Sequence, residues 1–326
     1  MANDNGFVLL TGTANLKLAQ DIAKILGKNV DETVTVFADG EKRITIPENL
    51  RKRDVFIIQP TCPPVDSNLM ELLLMIDAAK RSSATEITAV IPYFGYSRQD
   101  RKDRPRVPIS ASLVAGMVEY AGADRIVTVD IHSEPEPGFV KIPWDTLYAS
   151  YNLFPVLKKK FKGDNLIVAS PDKGGVTKAT FYLHYLKAKG LAIVFKVRDV
   201  YRENSSEALD MIGDVKGKDV LLVDDMIDTA GTIVSAANLL KNRGAKTISV
   251  AATHGLFSKP ALERIANSPI GHVFITDSVP LTKEITDNPK FSVVSIAPLL
   301  AEAIKFIYNG DSISGKLIPR SHTPER

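Results

Sequence analysis

Short apolar runs alternate with stretches of helical periodicity along most of this chain. In the first half, residues 55–59, 87–92 and 126–130 are brief, β-rich and largely apolar, as expected of strands buried on both faces. Residues 68–80 and 110–120 repeat apolar side chains at helical spacing between them. The second half offers strands at 166–169, 192–196, 220–223, 247–252 and 273–276, with Gly122, Gly190 and Gly244 placed to stop helices. The alternation predicts an α/β protein with two similar domains, each a mostly parallel sheet flanked by helices. The boundary is placed near residue 147, beside Pro143-Trp144. Residues 1–147 then form one domain, 148–302 a second, and 303–326 a helix with a polar tail.

One strand carries chemistry as well as pattern. The run Val220-Leu221-Leu222-Val223 leads into Asp224 and Asp225, then the turn Asp228-Thr229-Ala230-Gly231-Thr232, then an apolar helical stretch from Ile233. A helix N-terminus presents free N–H groups and the positive end of its dipole, so it suits a phosphate. Gly231 admits close backbone approach, and the Thr229 and Thr232 hydroxyls can donate to phosphate oxygens. Asp224 and Asp225 can accept from the vicinal hydroxyls of a sugar. Alone, an Asp-Asp pair equally reads as the polar end of a strand. The whole run describes a sugar phosphate such as ribose 5-phosphate.

Composition narrows the class. The chain has 326 residues, 44% hydrophobic and 24% charged, in the range of a globular protein of about two domains. A single Cys62 excludes an internal disulfide and suits a reducing, cytoplasmic setting. No apolar stretch is long enough to cross a bilayer, and the N-terminus lacks the basic-then-apolar pattern of an export signal. The net charge of +3 is too small to imply nucleic-acid binding. Arg98, Arg101, Lys102, Arg104 and Arg106 do fall within nine residues, which fits a solvated face or a polyphosphate site better than a nucleic-acid patch.

Four further constellations stand out. Asp172-Lys173-Gly174-Gly175 follows an apolar strand and precedes a helix; its N–H groups can meet a diphosphate and Asp172 a cation, though the sequence is also a good plain turn. Phe37-Ala38-Asp39-Gly40-Glu41 offers a ring to stack on a purine and carboxylates to meet its amine. Arg98-Gln99-Asp100 can contact phosphates, and His132 closes a strand beside Asp130. Lys196 and Arg198 alternate on a strand, so both cations point one way; a charged edge strand reads the same.

Taken in this order, the motifs resemble those of the ribose-phosphate pyrophosphokinase (phosphoribosyl-pyrophosphate synthetase) family over nearly the whole chain. The resemblance implies two domains of type I phosphoribosyltransferase-like fold and transfer of the diphosphoryl group of Mg-ATP to the 1-hydroxyl of ribose 5-phosphate. It implies ATP contacts from Phe37, Asp39, Glu41, Arg98, Gln99, Asp100 and His132, and a catalytic pair in Lys196 and Arg198. Residues Asp172 to Gly175 match the pyrophosphate loop, Asp224 to Thr232 the ribose 5-phosphate site, and His132 and Asp172 the contacts to Mg²⁺. It further implies a homo-oligomer, a hexamer built from dimers, with no nucleic-acid or membrane partner. Departures from the family pattern fall at Ala38, Pro105, Val107, residues 133–138 and the tail around 312–315. Two rival readings remain: a phosphoribosyltransferase that consumes phosphoribosyl pyrophosphate, and a non-catalytic regulatory homologue.

Overall fold

The computed structural model describes residues 6–161, 165–197, 208–313 and 317. Two compact units divide it: the described residues of Met1–Ala149, Ser278–Pro280 and Ser295–Ile318, and those of Ser150–Asp277, Leu281–Val294 and Pro319–Arg326.

The first unit opens with β1 (Val8–Thr11), α1 (Leu16–Leu26) and β2 (Asp31–Glu32), then the hairpin β3 (Val34–Val36) and β4 (Lys42–Ile44). It continues through β5 (Val55–Ile58), α2 (Val65–Arg81), β6 (Ile87–Ile91), α3 (Ser110–Ala121), β7 (Arg125–Val129), a 3-10 turn (Glu136–Phe139) and β8 (Trp144–Leu147). Six strands form one parallel sheet in the order β2-β1-β5-β6-β7-β8. β5 and β6 are buried at every position, because helices cover both faces and leave no polar side to alternate. Local chemistry sets the helix ends: Asn15 Oδ1 accepts from Leu18 N–H at the start of α1, and Gly27 closes it with φ 64°.

The second unit runs α4 (Ser150–Lys160), β9 (Leu166–Ser170), α5 (Val176–Leu186), β10 (Gly190–Val197), β11 (Ala208–Ile212), β12 (Asp219–Ile227) and α6 (Gly231–Asn242). After these come β13 (Thr247–Gly255), α7 (Ala261–Ala266), β14 (His272–Thr276), α8 (Lys283–Thr286) and β15 (Phe291–Val294). The sheet order is β11-β10-β9-β12-β13-β14-β15, parallel except for the edge strand β11. The chain then returns to the first unit as α9 (Ala297–Asn309).

Apart from β11, the two sheets follow one topology: the second strand lies on one side of the first, and all later strands lie on the other. Each unit therefore has one switch point, between β1 and β5 or between β9 and β12, where ligands of open parallel sheets collect.

Several expectations need correction. The diacid does not follow its strand but lies within it, since β12 continues to Ile227. The equally long β13 supplies partners, pairing Met226 with His254 and Ile227 with Gly255. Gly190 begins β10; the α5 stop is Lys187, left-handed at φ 51°, where the Lys187 and Ala188 N–H groups donate to the His184 and Leu183 carbonyls. Trp144 begins strand β8, and the first stretch of the first unit runs to Ala149. The sequence cut at 302/303 falls inside α9, which buries Leu299, Leu300 and Ile304 as one continuous face and belongs to the first unit.

Candidate functional site

At the switch point of the second unit, two loops and a diacid come together. β9 and β12 are parallel neighbours with Ala169 opposite Leu222, so the loop after Ser170 and the residues after Leu222 emerge at the same end. In the first loop, Ser170 Oγ donates to the Asp172 carbonyl at 2.6 Å, and Gly175 N–H donates to Asp172 Oδ1 at 3.0 Å. Asp172 thus folds its own turn, and Asp172, Lys173 and Gly174 are exposed. Lys173 Nζ lies 5.8 Å from the Phe195 ring centre. A Cβ on Gly175 would come within 2.7 Å of Ser170 Oγ, so this turn closes only around glycine.

On β12, ahead of the second loop, Asp224 Oδ1 accepts from Asp225 N–H at 2.9 Å. Burial first, and then the adjacent Asp225 charge, push the Asp224 carboxyl well above its ordinary range, while Lys178 pulls it back. Two carboxylates this close are costly without a donor or cation. Ala230 takes a left-handed backbone (φ 61°) at the start of α6, and no side chain caps that helix. Its first N–H groups stay available to an anion. Thr229 and Thr232 are exposed beside them.

Arg264 on α7 was not legible as part of this site. Its Nη1 donates to the Thr229 carbonyl at 3.0 Å and stands 3.5 Å from where a Gly231 Cβ would be. The contact spans 35 residues, so no local motif announces it.

Lys196 lies on β10, paired with Leu209 of the antiparallel β11. Arg198 lies outside the described residues.

The nucleotide candidates all lie in the first unit. Phe37 to Glu41 cap the β3–β4 hairpin: Gly40 (φ 92°) makes the turn, and Glu41 N–H donates to Asp39 Oδ1 at 3.0 Å. Phe37 is 43% exposed and its neighbour Val36 57%, with the Arg43 guanidinium 5.2 Å from the Phe37 ring centre. Arg98 and Gln99 are exposed after β6. Ser110 Oγ donates to Gln99 Oε1 at 2.6 Å, which ties Gln99 to the start of α3. His132 is exposed after β7, its N–H donating to Ser97 Oγ at 3.1 Å. Asp130, with φ 43°, turns the chain there and accepts from Ala149 N–H at 2.9 Å.

Two buried carboxylates escaped the sequence reading. Glu71 of α2 occupies the first unit's own switch point. It accepts from Thr13 N–H at 2.9 Å, Gln59 Nε2 at 2.8 Å and Lys42 Nζ at 2.7 Å. Thr13 Oγ1 adds a further bond at 2.8 Å. Burial raises the Glu71 carboxyl, but the bonds from Lys42 and Thr13 and the lysine charge outweigh it and hold the group below its ordinary value. Glu136, fully enclosed, accepts from Ser97 Oγ. Burial pushes it up to about 7 against the pull of Ser97 and the His132 charge, with Asp100 adding to the rise.

The comparisons agree with this geometry. Residues 7–122 match the N-terminal domain of ribose phosphate pyrophosphokinase, and residues 192–317 the phosphoribosyl synthetase-associated domain. A ribose-phosphate pyrophosphokinase of Helicobacter hepaticus is 48% identical over 311 residues, covering 95% of this chain and 98% of the relative. One from Chlorobaculum tepidum is 52% identical over 307 residues, covering 94% and 93%. The crystal structure of phosphoribosylpyrophosphate synthetase from Mycobacterium smegmatis superposes with a TM-score of 0.88 at 41% identity, covering 94% of this chain and 99% of that one. Two mostly parallel α/β units that superpose on a phosphoribosylpyrophosphate synthetase place the chain among α/β enzymes of phosphoribosyl chemistry. The chain belongs to the ribose-phosphate pyrophosphokinase family.

Proposed function

We propose that this chain transfers the β,γ-diphosphoryl group of Mg-ATP to the 1-hydroxyl of ribose 5-phosphate, giving 5-phosphoribosyl 1-pyrophosphate and AMP for nucleotide biosynthesis. The observation that carries this reading is the second unit's switch point, where a diacid, an uncapped helix N-terminus and a glycine turn converge. Asp224 and Asp225 accept from the ribose hydroxyls. The α6 N–H groups with Thr229 and Thr232 hold the 5-phosphate, and the Asp172–Gly175 turn receives the pyrophosphate. Asp228, Ala230 and Gly231 shape the phosphate loop.

In the reaction the sugar oxygen attacks the β-phosphorus in line. An O–P bond forms there, the bond from the β-phosphorus to the oxygen bridging it to the α-phosphorus breaks, and AMP departs. No covalent nucleophile on the protein is needed, because positioning and charge stabilisation supply the catalysis. Lys196 and Arg198 place two cations against the group in flight. Phe37, Asp39 and Glu41 receive the adenine, while Arg98, Gln99, Asp100 and His132 receive the phosphates. Among the described residues no cluster of three or more His, Cys, Asp or Glu could hold an ion. The exposed Asp172 carboxylate suits Mg²⁺, which binds one or two protein carboxylates and otherwise substrate phosphates; His132 as a contact rests on the family resemblance. When bound, Mg²⁺ neutralises charge on the diphosphoryl oxygens.

Incubation with ATP and ribose 5-phosphate should release AMP stoichiometrically with phosphoribosyl pyrophosphate. Lys196→Ala should cut turnover by about 10²–10³ with little change in ribose 5-phosphate binding. Absence of AMP from the wild-type protein would sink the assignment.

The exposed Phe37 at a hairpin tip favours a site completed by a second copy of the chain, so activity requires a homo-oligomer, a hexamer by family resemblance. Mixing inactive Phe37→Ala, Asp39→Ala subunits with inactive Lys196→Ala subunits should restore some activity. No recovery after proven mixing would mean that each chain builds its own site. Among the described residues no helix is long and apolar enough to cross a membrane, and the lone Cys62 is buried. Both suit an enzyme of the cytoplasm, acting on small molecules rather than nucleic acid.

A further inference from the structure

Ser97 and Glu136 form a pair for which neither the motifs nor the proposed chemistry has a use. Ser97 is buried one residue before Arg98, on the loop after β6. Its Oγ has one proton and accepts from the His132 N–H at 3.1 Å. An amide can only donate, so the hydroxyl proton is free for another acceptor, and it goes to Glu136 Oε1. One hydroxyl therefore ties three segments: the loop of Arg98 to Asp100, the loop of His132, and the 3-10 turn Glu136–Phe139. Glu136 is 0% exposed, and its Oε2 has no hydrogen-bond partner among the described residues. A buried carboxylate held by so few bonds is expensive. A fold that only needed to fill this space would do better with an apolar side chain.

We propose that Glu136 is a positioning residue of the nucleotide site, which through Ser97 sets His132 in register with Arg98, Gln99 and Asp100. The inference rests on the reading of those residues as ATP contacts. Glu136 touches no substrate; it fixes the Ser97 hydroxyl so that its lone pair, not its proton, meets the His132 amide.

The test is steady-state kinetics of the assembled enzyme with ATP and ribose 5-phosphate varied separately. Glu136→Leu keeps the volume but removes the acceptor, and Ser97→Ala removes the hydroxyl itself. Each should raise KM for ATP about five- to tenfold, the effect of one misdirected hydrogen bond. KM for ribose 5-phosphate should stay within about twofold. The double variant should be no worse than the poorer single one, because both break the same link. Glu136→Gln, which still offers an oxygen to Ser97, should recover most of the ATP affinity even if Glu136→Leu folds poorly. Equal rises in both Michaelis constants, following the loss of thermal stability, would overturn the proposal in favour of simple packing. ATP kinetics unchanged in Glu136→Leu and Ser97→Ala would also overturn it, provided that His132→Ala and Arg98→Ala do raise KM for ATP. If those two direct variants leave KM for ATP unchanged, the nucleotide-site reading itself fails, and the positioning role falls with it.

Discussion

The switch points of the two units occupy equivalent places in equivalent topologies, yet they treat charge in opposite ways. Between β9 and β12, Asp224 and Asp225 repel each other, and burial pushes Asp224 well above its ordinary range. The loops beside them offer N–H groups and exposed threonines. Between β1 and β5, the corresponding space holds Glu71, its carboxylate met by Lys42, Thr13 and Gln59 and held below its ordinary value. In one crevice, burial and the Asp225 charge disfavour the ionised form of Asp224 more than Lys178 favours it. The other satisfies its demand internally, and Lys42, beside the Phe37–Glu41 turn, draws that end of the hairpin into the closure. Duplicated topology need not mean duplicated function: the side chains filling the crevice decide whether a unit binds there or braces there.

The largest expected effect tests the bracing side. Glu71→Leu should cost about 3–5 kcal/mol in urea unfolding, because Lys42, only 11% exposed, would lose its carboxylate and keep only Ser67 as partner. Adding Lys42→Met should return part of that loss. A cost below about 1 kcal/mol would remove the contrast between the two crevices.

The pH dependence of stability sharpens the comparison at an intermediate case. Glu136 stands at about 7 when folded, against an ordinary 4.5, so the folded protein binds its proton more tightly than the unfolded chain does. Its contribution is full below about pH 4.5 and is lost as the pH rises through 7, roughly 3 kcal/mol in all. Burial is the main cause of the rise; Ser97, the His132 charge and the Ser133 backbone pull it back, and Asp100 adds a little. Unfolding without nucleotide or divalent ion, from pH 5 to 8, should show this loss, and Glu136→Gln should flatten it. Glu71 has the opposite sign: its folded value is depressed, so its contribution is present above the unfolded value and disappears as the pH falls through the folded one. An acid-labile Glu136 contribution would contradict its assignment as the poorly satisfied carboxylate.

The smallest effect tests the binding side. Asp224→Asn relieves the repulsion with Asp225 and should raise stability by ~1 kcal/mol while weakening ribose 5-phosphate binding, a stability gain won at a functional site. Calorimetry and the Michaelis constant for the sugar check the two halves. A loss of stability would place Asp224 with the bracing carboxylates instead.

The legibility of the chain follows from the same division. Strands buried on both faces announce themselves as apolar runs, so residues 55–59 anticipated β5 and residues 87–92 anticipated β6. Two-residue β2 and the half-exposed β3–β4 hairpin carry no such signal, because partners rather than local preference make them strands. The turn from Asp228 to Thr232 and the helix it opens could be read because their residues are consecutive. The Glu71 cluster could not, since Thr13 and Lys42 reach it across 58 and 29 residues. In sequence Lys42 looks like any surface lysine. Pro135-Glu136-Pro137 likewise reads as a solvated loop, and only the tertiary structure encloses its carboxylate.

Helix α9 has a consequence for the time at which the protein can fold. It packs against α1, and Tyr308 places its ring 4.9 Å from that of Phe7. The first unit therefore joins Phe7 to Tyr308, two residues that lie on either side of the second unit in the chain. At roughly 5–20 residues per second of synthesis, about 15–60 s separate the emergence of these two aromatic partners from the ribosome. The second unit needs nothing beyond Val294 among its described residues. During synthesis the later-encoded unit can close first, while the earlier one waits with the α1 face uncovered.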